Sequence, residues 1–509
     1  MKKGQVLEGI VTHVDFPNKS RVTVKEVSEN EVVTETNALV KGALPGQTVS
    51  FVVKKARKDK CQGRLKEVIK KSPLETVEPM CPNFGTCGGC NYQTLPYETQ
   101  LDIKKKQVLE LIDKVYASNN DSDILPCGNI DKEGQDSKLG NDNIAVLPHK
   151  PVKDYVYDGI LSSPDVCAYR NKMEFTFGDE YKAGPLTLGL HKKGSFHDII
   201  NASGCKIVHE DFTKVLDCVS DYCAEKELPH YNKNTHEGVL RHLLVRRAAS
   251  TGELLVALVT SSQMEISDMV EELGDKLAAL NLEGSLTGFL HIINDGLGDA
   301  VKSDKTRLIR GKDWFTEEIL GLKFRISPFS FFQTNTKGAE VLYSRVRDYI
   351  VDDSIGSSTD LHDKVVFDLY SGTGTIAQII APIAKKVIGV EIVEEAVEAA
   401  RKNAAENGLT NCEFIAGDVL KVIDEITEKP DFIILDPPRE GIHPKAIRKI
   451  IDFGVENIVY VSCKPTSLAS DLAVFEANGY HLKRVSNVDM FPQTVHVETV
   501  CLLSRKVPV

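Results

Sequence analysis

No apolar run in the 509 residues approaches the roughly 20 needed to cross a bilayer, which excludes an integral membrane helix. The opening residues, Met1-Lys2-Lys3-Gly4-Gln5, carry neither the apolar core of a secretory signal nor an arginine-rich transit pattern, so a cytoplasmic location is expected. No repeat of about 20 to 50 residues recurs, which excludes a solenoid or propeller. Cysteine is sparse: 12 in so long a chain are too few for a secreted disulfide scaffold, and in a reducing compartment they serve as free thiols, metal ligands or nucleophiles. Positive charge is also in deficit. A formal net charge of -11 and an isoelectric point near 5.7 argue against whole-surface attraction to nucleic acid while allowing a local basic groove.

The composition that remains, 42% hydrophobic and 27% charged, excludes a disordered, collagen-like or coiled-coil chain. Single cores stop growing at about 250 to 300 residues, so two or three domains are expected. Residues 1–72 show short β-branched runs, Val6 to Val14, Arg21 to Val27, Glu31 to Thr36 and Val49 to Val53, broken by turn signals. That pattern predicts a small antiparallel barrel. Its last strands carry Lys54, Lys55, Arg57, Lys58, Lys60, Arg64, Lys66, Lys70 and Lys71 against only Asp59 and Glu67. A solvated edge that deters strand aggregation and a phosphate-backbone footprint both account for such a run.

Residues 73–118 hold a Cys, Gly and Pro cluster and an amphipathic helix from about Tyr97 to Tyr116. Residues 119–151, rich in Asn, Asp, Gly and Lys and without periodicity, read as a mobile insertion without chemistry. Strand-like alternation near Tyr169 to Phe177, Leu243 to Val245 and Leu254 to Val259 predicts a central α+β domain over 152–332. Residues 333–509 alternate apolar strand and helix and end in an antiparallel pair, the pattern of a doubly wound α/β sheet with ligands at the carboxyl ends of its strands.

Val365 to Leu369 leads through Tyr370-Ser371-Gly372-Thr373-Gly374 into a helix; glycine suits a turn that must approach a ligand without a Cβ. Read alone, Gly372-x-Gly374-x-x-Ala377 also fits a relaxed dinucleotide fingerprint. An iron-sulfur, nicotinamide-dependent oxidoreductase is therefore a rival, although it leaves the features below unexplained. Asp368 makes the pattern D-x-x-x-G-x-G, which resembles the first motif of class I S-adenosylmethionine (SAM)-dependent methyltransferases. Glu391, ending the next strand, can accept both ribose hydroxyls, and Asp418 is expected near the adenine. Both also fit as helix N-caps.

Asp436-Pro437-Pro438-Arg439 puts an acid and two rigid prolines at the end of the fourth strand. Ser462-Cys463-Lys464-Pro465 then puts Cys463 at the end of the fifth, where a nucleophile outweighs the ordinary reading of cysteine as a small buried hydrophobe. Further back, Cys81, Cys87 and Cys90 form C-x5-C-x2-C among glycines, a spacing that suits zinc and an iron-sulfur cluster equally.

Asp-Pro-Pro-Arg, Ser-Cys-Lys-Pro and the closing run Asp489-Met490-Phe491-Pro492-Gln493-Thr494-Val495-His496-Val497-Glu498 together resemble the RNA uracil-5-methyltransferase family. Within it the chain is most similar to the iron-sulfur 23S ribosomal RNA enzymes, over all but residues 119–151. The resemblance implies a class I Rossmann-like methyltransferase domain, a central α+β domain with an iron-sulfur site, and an N-terminal OB-like barrel of the TRAM type that binds RNA. It implies Cys463 as nucleophile toward C6 of uracil and Glu498 as the base that removes the C5 proton. It implies Gln333, Tyr370, Gly372, Gly374, Thr375, Glu391, Asp418 and Asp436 around SAM or the target base. Family members often carry phenylalanine at the Tyr370 position, asparagine at the Thr375 and Asp418 positions, and asparagine in place of Lys464. Cys205, in the segment from Phe196 to Cys205, is implied as fourth ligand of a [4Fe-4S] cluster with Cys81, Cys87 and Cys90. Tyr169 to Phe175 and Arg241 are further expected RNA contacts. Transfer RNA is the alternative substrate, and no obligate protein partner is indicated.

Overall fold

The computed structural model describes residues 1–27, 33–57, 60–117, 154–298, 303–351 and 361–505. The expected insertion, with Cys127, lies outside the described residues, as do Lys58 and Asp59 of the basic run. The chain forms two compact units. One comprises Met1–Gln100, Ser163–Glu340 and Met490–Val495, and the other Leu101–Ser162, Val341–Asp489 and His496–Val509.

In the first unit, β1 (Val6–Asp15), β2 (Lys19–Val27), β3 (Val33–Lys41), β4 (Thr48–Arg57) and β5 (Lys60–Lys70) close into a barrel of order β1-β2-β3-β5-β4. The β3–β5 pair is parallel, where an all-antiparallel barrel was expected. Val22, Val40, Val49, Phe51 and Val53 alternate into the interior, the period of two that a half-buried strand imposes. Gly63 admits the Phe51 ring, since a Cβ there would stand 2.3 Å from it.

After helix α1 (Tyr97–Ala117) and strand β6 (Val156–Leu161), both treated below, the first unit continues with β7 (Lys172–Asp179), β8 (Leu186–His191), β9 (Ile199–Asn201), α2 (Glu210–Glu225), β10 (Leu240–Arg247), β11 (Glu253–Thr260), α3 (Ser267–Ala278), β12 (Ser285–Ile293) and β13 (Lys305–Gly311). The strands form one mixed sheet of order β13-β12-β11-β10-β7-β8-β9. Phe175, Leu243, Val245 and Val256 share a core with Phe212, Val215 and Val219 of α2 and Leu273 of α3. Arg246, on the alternate face of β10, is fully buried. Its Nη1 donates to the carbonyls of Ser327 and Ser330, both at 2.8 Å. The hairpin β14 (Phe315–Ile319) and β15 (Leu322–Ile326) precedes that loop, and α4 (Thr336–Val351) follows it into the second unit.

The second unit is built on an eight-stranded sheet of order β18-β17-β16-β19-β20-β22-β21-β6. Its members are β16 (Leu361–Leu369), β17 (Ala384–Glu391), β18 (Cys412–Ala416), β19 (Phe432–Leu435), β20 (Asn457–Ser462), β21 (Tyr480–Val488) and β22 (Glu498–Arg505), with β6. Its helices are α5 (Thr375–Ile380), α6 (Glu394–Glu406), α7 (Val419–Val422), α8 (Pro444–Asp452) and α9 (Pro465–Ala477). Strands β16 to β20 are parallel, and β22 enters antiparallel to β20. The chain runs outward from β16 through β17 to β18 and returns through β19, so the topological switch point lies between β16 and β19.

Two placements differ from the sequence expectation. Val156–Leu161 pairs in parallel with β21, so this stretch belongs with the C-terminal sheet instead of the central domain expected from residue 152. Residues Met490–Val495 belong to the first unit, interrupting the C-terminal domain expected over 333–509. Lys104 of α1 and Asp489, both fully buried, pair at 2.6 Å inside the second unit. A buried ion pair of this kind fixes register, because an unpaired charge there costs several kcal/mol.

Candidate active site

The turn after β16 is made by backbone that few side chains tolerate. Tyr370, Gly372 and Gly374 have φ of 68°, 53° and 71°. A Cβ on Gly374 would lie 2.4 Å from the Phe414 ring, so glycine is required there by conformation and by space. Asp368 is completely buried; one oxygen accepts from Ala377 N at 2.9 Å, and Oδ1 has no partner among the described residues. Burial, with the charges of Asp436 and Glu391, pushes its carboxyl up to about 8. Glu391 accepts from Gly372 N at 3.0 Å and from Val393 N at 2.9 Å, tying the glycine turn to the end of β17. It does not cap α6, whose N-cap is Val393. Asp418 is the N-cap of α7 and accepts from Leu420 N at 2.9 Å. Thr375 is buried at the first position of α5. Burial and the nearby charge of Asp418 raise the Tyr370 phenol.

On the other side of the switch point, Asp436 follows β19, Cys463 follows β20, and Glu498 opens β22 opposite Val488. Ser462 faces Thr499 across the β20–β22 pair, which brings the residues next to each, Cys463 and Glu498, to one end of the sheet. Burial pushes the Cys463 thiol up to about 11; Glu498 and Asp436 push in the same direction, and Arg439 opposes them by charge and hydrogen bonding. Burial and the charge of Asp436 push Glu498 up to about 8, again opposed by Arg439. Asp436 keeps slight solvent contact yet is ringed by protein, and burial pushes it up to about 7. One thiol, two carboxyls and a guanidinium therefore share a single electrostatic environment, a grouping typical of functional sites.

The role of Arg439 was not assigned from sequence, although it stood inside the Asp-Pro-Pro-Arg motif. Asp471 of α9 carried no sequence signal. Its Oδ2 accepts from Tyr460 OH at 2.6 Å and Ile442 N at 2.9 Å, holding the chain that leaves the proline loop against β20.

Gln333 lies in the first unit, half-buried, with its carbonyl accepting from Asn171 Nδ2 at 3.0 Å. Several expected RNA contacts are structural instead. Tyr169 is buried and donates to the Pro492 carbonyl at 2.9 Å; Asn171, Met173 and Phe175 are also buried. Arg241 is buried, stacks on Tyr231 at 4.3 Å and donates to the carbonyls of Asn294 and Gly296, both at 2.7 Å. These charges and rings serve packing, because a buried guanidinium needs acceptors that only a folded loop supplies.

Cys81, Cys87, Cys90 and Cys205 lie within one another's electrostatic reach in the first unit. Burial pushes Cys90 up to about 12, with Cys205, Cys87 and Cys81 adding to it, and Cys205 is raised by burial, Cys81 and Cys87. Against this, Gly89 N donates to Cys87 Sγ at 3.4 Å, and the Ile207 and Val208 amides favour the thiolate of Cys205. Asn83 Nδ2 donates to the Asn201 carbonyl at 2.7 Å, holding the two segments together. Thiolates are the donors a soft metal centre takes, but no three of these sulfurs lie within 4.8 Å of one another among the described residues.

A family model described as tRNA (Uracil-5-)-methyltransferase matches residues 251–506. A protein of Clostridium acetobutylicum named as an uncharacterized RNA methyltransferase is 46% identical over 507 residues, covering 100% of this chain and 99% of its own. Another so named, from Caldanaerobacter subterraneus, is 47% identical over 466 residues, covering 92% of this chain and 93% of its own. Among solved structures, the tRNA (uracil-54, C5)-methyltransferase of Pyrococcus abyssi in complex with S-adenosyl-L-homocysteine shares the fold. Its TM-score is 0.67 at 21% identity, with coverage of 98% of this chain and 100% of that one.

Proposed function

The chain belongs to the RNA uracil-5-methyltransferase family, whose members are SAM-dependent enzymes, and from that premise we propose that it methylates C5 of a uridine in 23S ribosomal RNA through a covalent adduct with Cys463. What supports the covalent step is the shared electrostatic environment of Cys463, Asp436, Glu498 and Arg439 at the carboxyl ends of β19 and β20, while ribosomal RNA as substrate rests on the resemblance of the cysteine segments to the iron-sulfur enzymes.

C5 of uracil is a poor nucleophile. Addition of the Cys463 thiolate to C6 moves the ring electrons onto C5 and O4, and C5 then takes the sulfonium methyl, releasing S-adenosylhomocysteine. Glu498 accepts the C5 proton, the C5–C6 double bond reforms, and the thiolate leaves. Arg439 stabilises both anions this sequence needs. SAM would bring a cation to this end of the sheet, and a nearby cation favours the ionised form of an acid, the form Glu498 needs to accept the C5 proton. Asp436 is assigned to SAM or the target base, and the rigid Pro437-Pro438 loop to holding that base beside the methyl group. Gln333, Tyr370, Gly372, Gly374, Thr375, Glu391 and Asp418 are assigned to SAM, with the turn amides and Glu391 already ordered by their mutual hydrogen bond.

Cys81, Cys87, Cys90 and Cys205 would hold a [4Fe-4S] cluster. Its contribution would be a cross-link between the Cys81–Cys90 loop and the segment at Cys205, since methyl transfer moves no electron to or from the protein. The barrel, read as a TRAM-type module, would grip RNA through Lys54, Lys55, Arg64, Lys66, Lys70 and Lys71, with affinity falling as salt rises.

Mapping of 5-methyluridine in ribosomal and transfer RNA, from cells carrying the intact chain or Cys463→Ala, tests the reading. Loss of one ribosomal site is expected, and unchanged 5-methyluridine at every site would refute it. Transfer RNA is the second reading, favoured because the matching family model and the Pyrococcus structure both bear the names of transfer RNA methyltransferases. Loss confined to transfer RNA would establish it instead.

A further inference from the structure

The first unit contains a cleft of about 410 Å³ that none of the assigned residues lines. Its walls are the end of β7, the turn between β8 and β9, and the 230–234 loop. The volume falls within the range of roughly 300–1,000 Å³ typical of small-ligand sites. Phe196 lines it with 86% of its surface exposed, and Tyr181, 61% exposed, lies beside the lining residue Lys182. A single exposed ring is ordinary on a protein surface; what sets Phe196 apart is its place in the wall of a cleft beside two lysines.

The ring is presented by an ordered turn. Ser195 Oγ accepts from His197 N at 3.3 Å and Asp198 N at 3.1 Å, bracketing Phe196. The facing loop is ordered as well, because Asn232 Oδ1 accepts from Asn234 N at 2.9 Å. Lys182 and Lys233 bring two ammonium groups to the cleft that holds the ring. Two acids share the wall with them: Asp179, whose Oδ2 accepts from Ala183 N at 2.9 Å, and Asp198, so attraction to phosphate depends on where the two lysines stand and not on a net positive lining. The cysteine loop is joined to the same wall: Gly88 N donates to the His191 carbonyl at 3.3 Å and Lys193 N to the Thr86 carbonyl at 2.7 Å.

We propose that this cleft holds an unpaired nucleotide of the substrate RNA other than the one methylated, its base stacked on Phe196 and its phosphates met by Lys182 and Lys233. This rests on the RNA-methyltransferase reading and adds to it a second gripping site. An exposed aromatic ring beside cations is how proteins hold single-stranded RNA without reading its sequence.

The test uses the full chain and fluorescein-labelled decauridylate. Phe196→Ala should weaken binding about tenfold and Phe196→Tyr should restore it, since stacking needs only an aromatic face. Lys182→Ala with Lys233→Ala should lower the salt slope by about 1.4, at roughly 0.7 per phosphate contact on a single strand. Ultraviolet crosslinking should mark the tryptic peptide of residues 194–206. Affinity unchanged in Phe196→Ala, crosslinks confined to other peptides, or equal displacement by free uridine monophosphate would overturn the proposal. Its failure is separable from that of the parent reading. If the intact chain makes 5-methyluridine while Phe196→Ala binds normally, only the cleft assignment falls. If no 5-methyluridine forms anywhere while binding still depends on Phe196, only the methylation reading falls.

Discussion

Glu498→Gln gives the sharpest test of the electrostatics, because it removes one charge and leaves the shape. The Cys463 thiol stands at about 11, raised first by burial and then by Glu498, and Glu498 itself stands at about 8. Well below pH 8 the carboxyl holds its proton, so acid and amide affect the thiolate alike. Above it the ionised carboxylate disfavours a second negative charge, and the amide does not. A unit charge acting across several ångström at protein-like dielectric is worth on the order of 1–3 kcal/mol. The lower end of that range is about tenfold in thiolate population. The thiolate is the species that alkylates, so iodoacetamide labelling reports it directly, without RNA. The tryptic peptide spanning Ile450 to Lys483 holds Cys463 as its one cysteine and is followed by mass spectrometry. The variant-to-parent rate ratio should be near one at about pH 6.5, rise to about fivefold between about pH 9 and 10, and close again once both thiols are ionised. A ratio that stays flat with pH, or drops below one, refutes the coupling. The same variant, given RNA and SAM, should retain the C6 adduct because the C5 proton has no acceptor.

Asp368 holds a proton in the folded state up to about pH 8, whereas its ordinary value is 3.8. Stability should therefore fall as pH rises between these values, by up to about 1.4 kcal/mol per pH unit, and Asp368→Asn should flatten that slope in denaturant titrations. Lys104→Met leaves the Asp489 carboxylate buried without its 2.6 Å partner. It should cost about 3–5 kcal/mol in chemical denaturation, and Lys104→Met with Asp489→Leu should recover most of the loss. Gly374→Ala, strained at φ 71° and crowded by Phe414, should weaken SAM binding by calorimetry more than about tenfold, in keeping with the cost of an incompatible turn residue. Cys205→Ser should lower the iron and acid-labile sulfide recovered with the anaerobically purified protein, while unchanged content would remove Cys205 from the ligand set.

The sequence by itself determined what is written in short-range pattern. The alternation of strand and helix after Val365 specified the doubly wound sheet, because burial of one face imposes its period on the residues nearby. The glycine turn was legible because only glycine meets its backbone and spacing demands, and the cysteine motif because Cys81, Cys87 and Cys90 are close in the chain. The family motifs marked Asp436, Cys463 and Glu498, residues that the fold brings to one end of its sheet. What the tertiary structure decided is long-range or environmental. Val156–Leu161 reads as an ordinary strand, and only its pairing with β21 assigns it to the C-terminal sheet. Arg241 and Arg246 have the composition of a surface groove, yet they are buried beneath loop carbonyls that come together only on folding. Asp471 became visible as a clamp only once α9 had packed against β20. The raised values of Asp368, Glu498 and Cys463 belong to the same class, since an acid or a thiol keeps its ordinary value until the fold removes water and places other charges beside it.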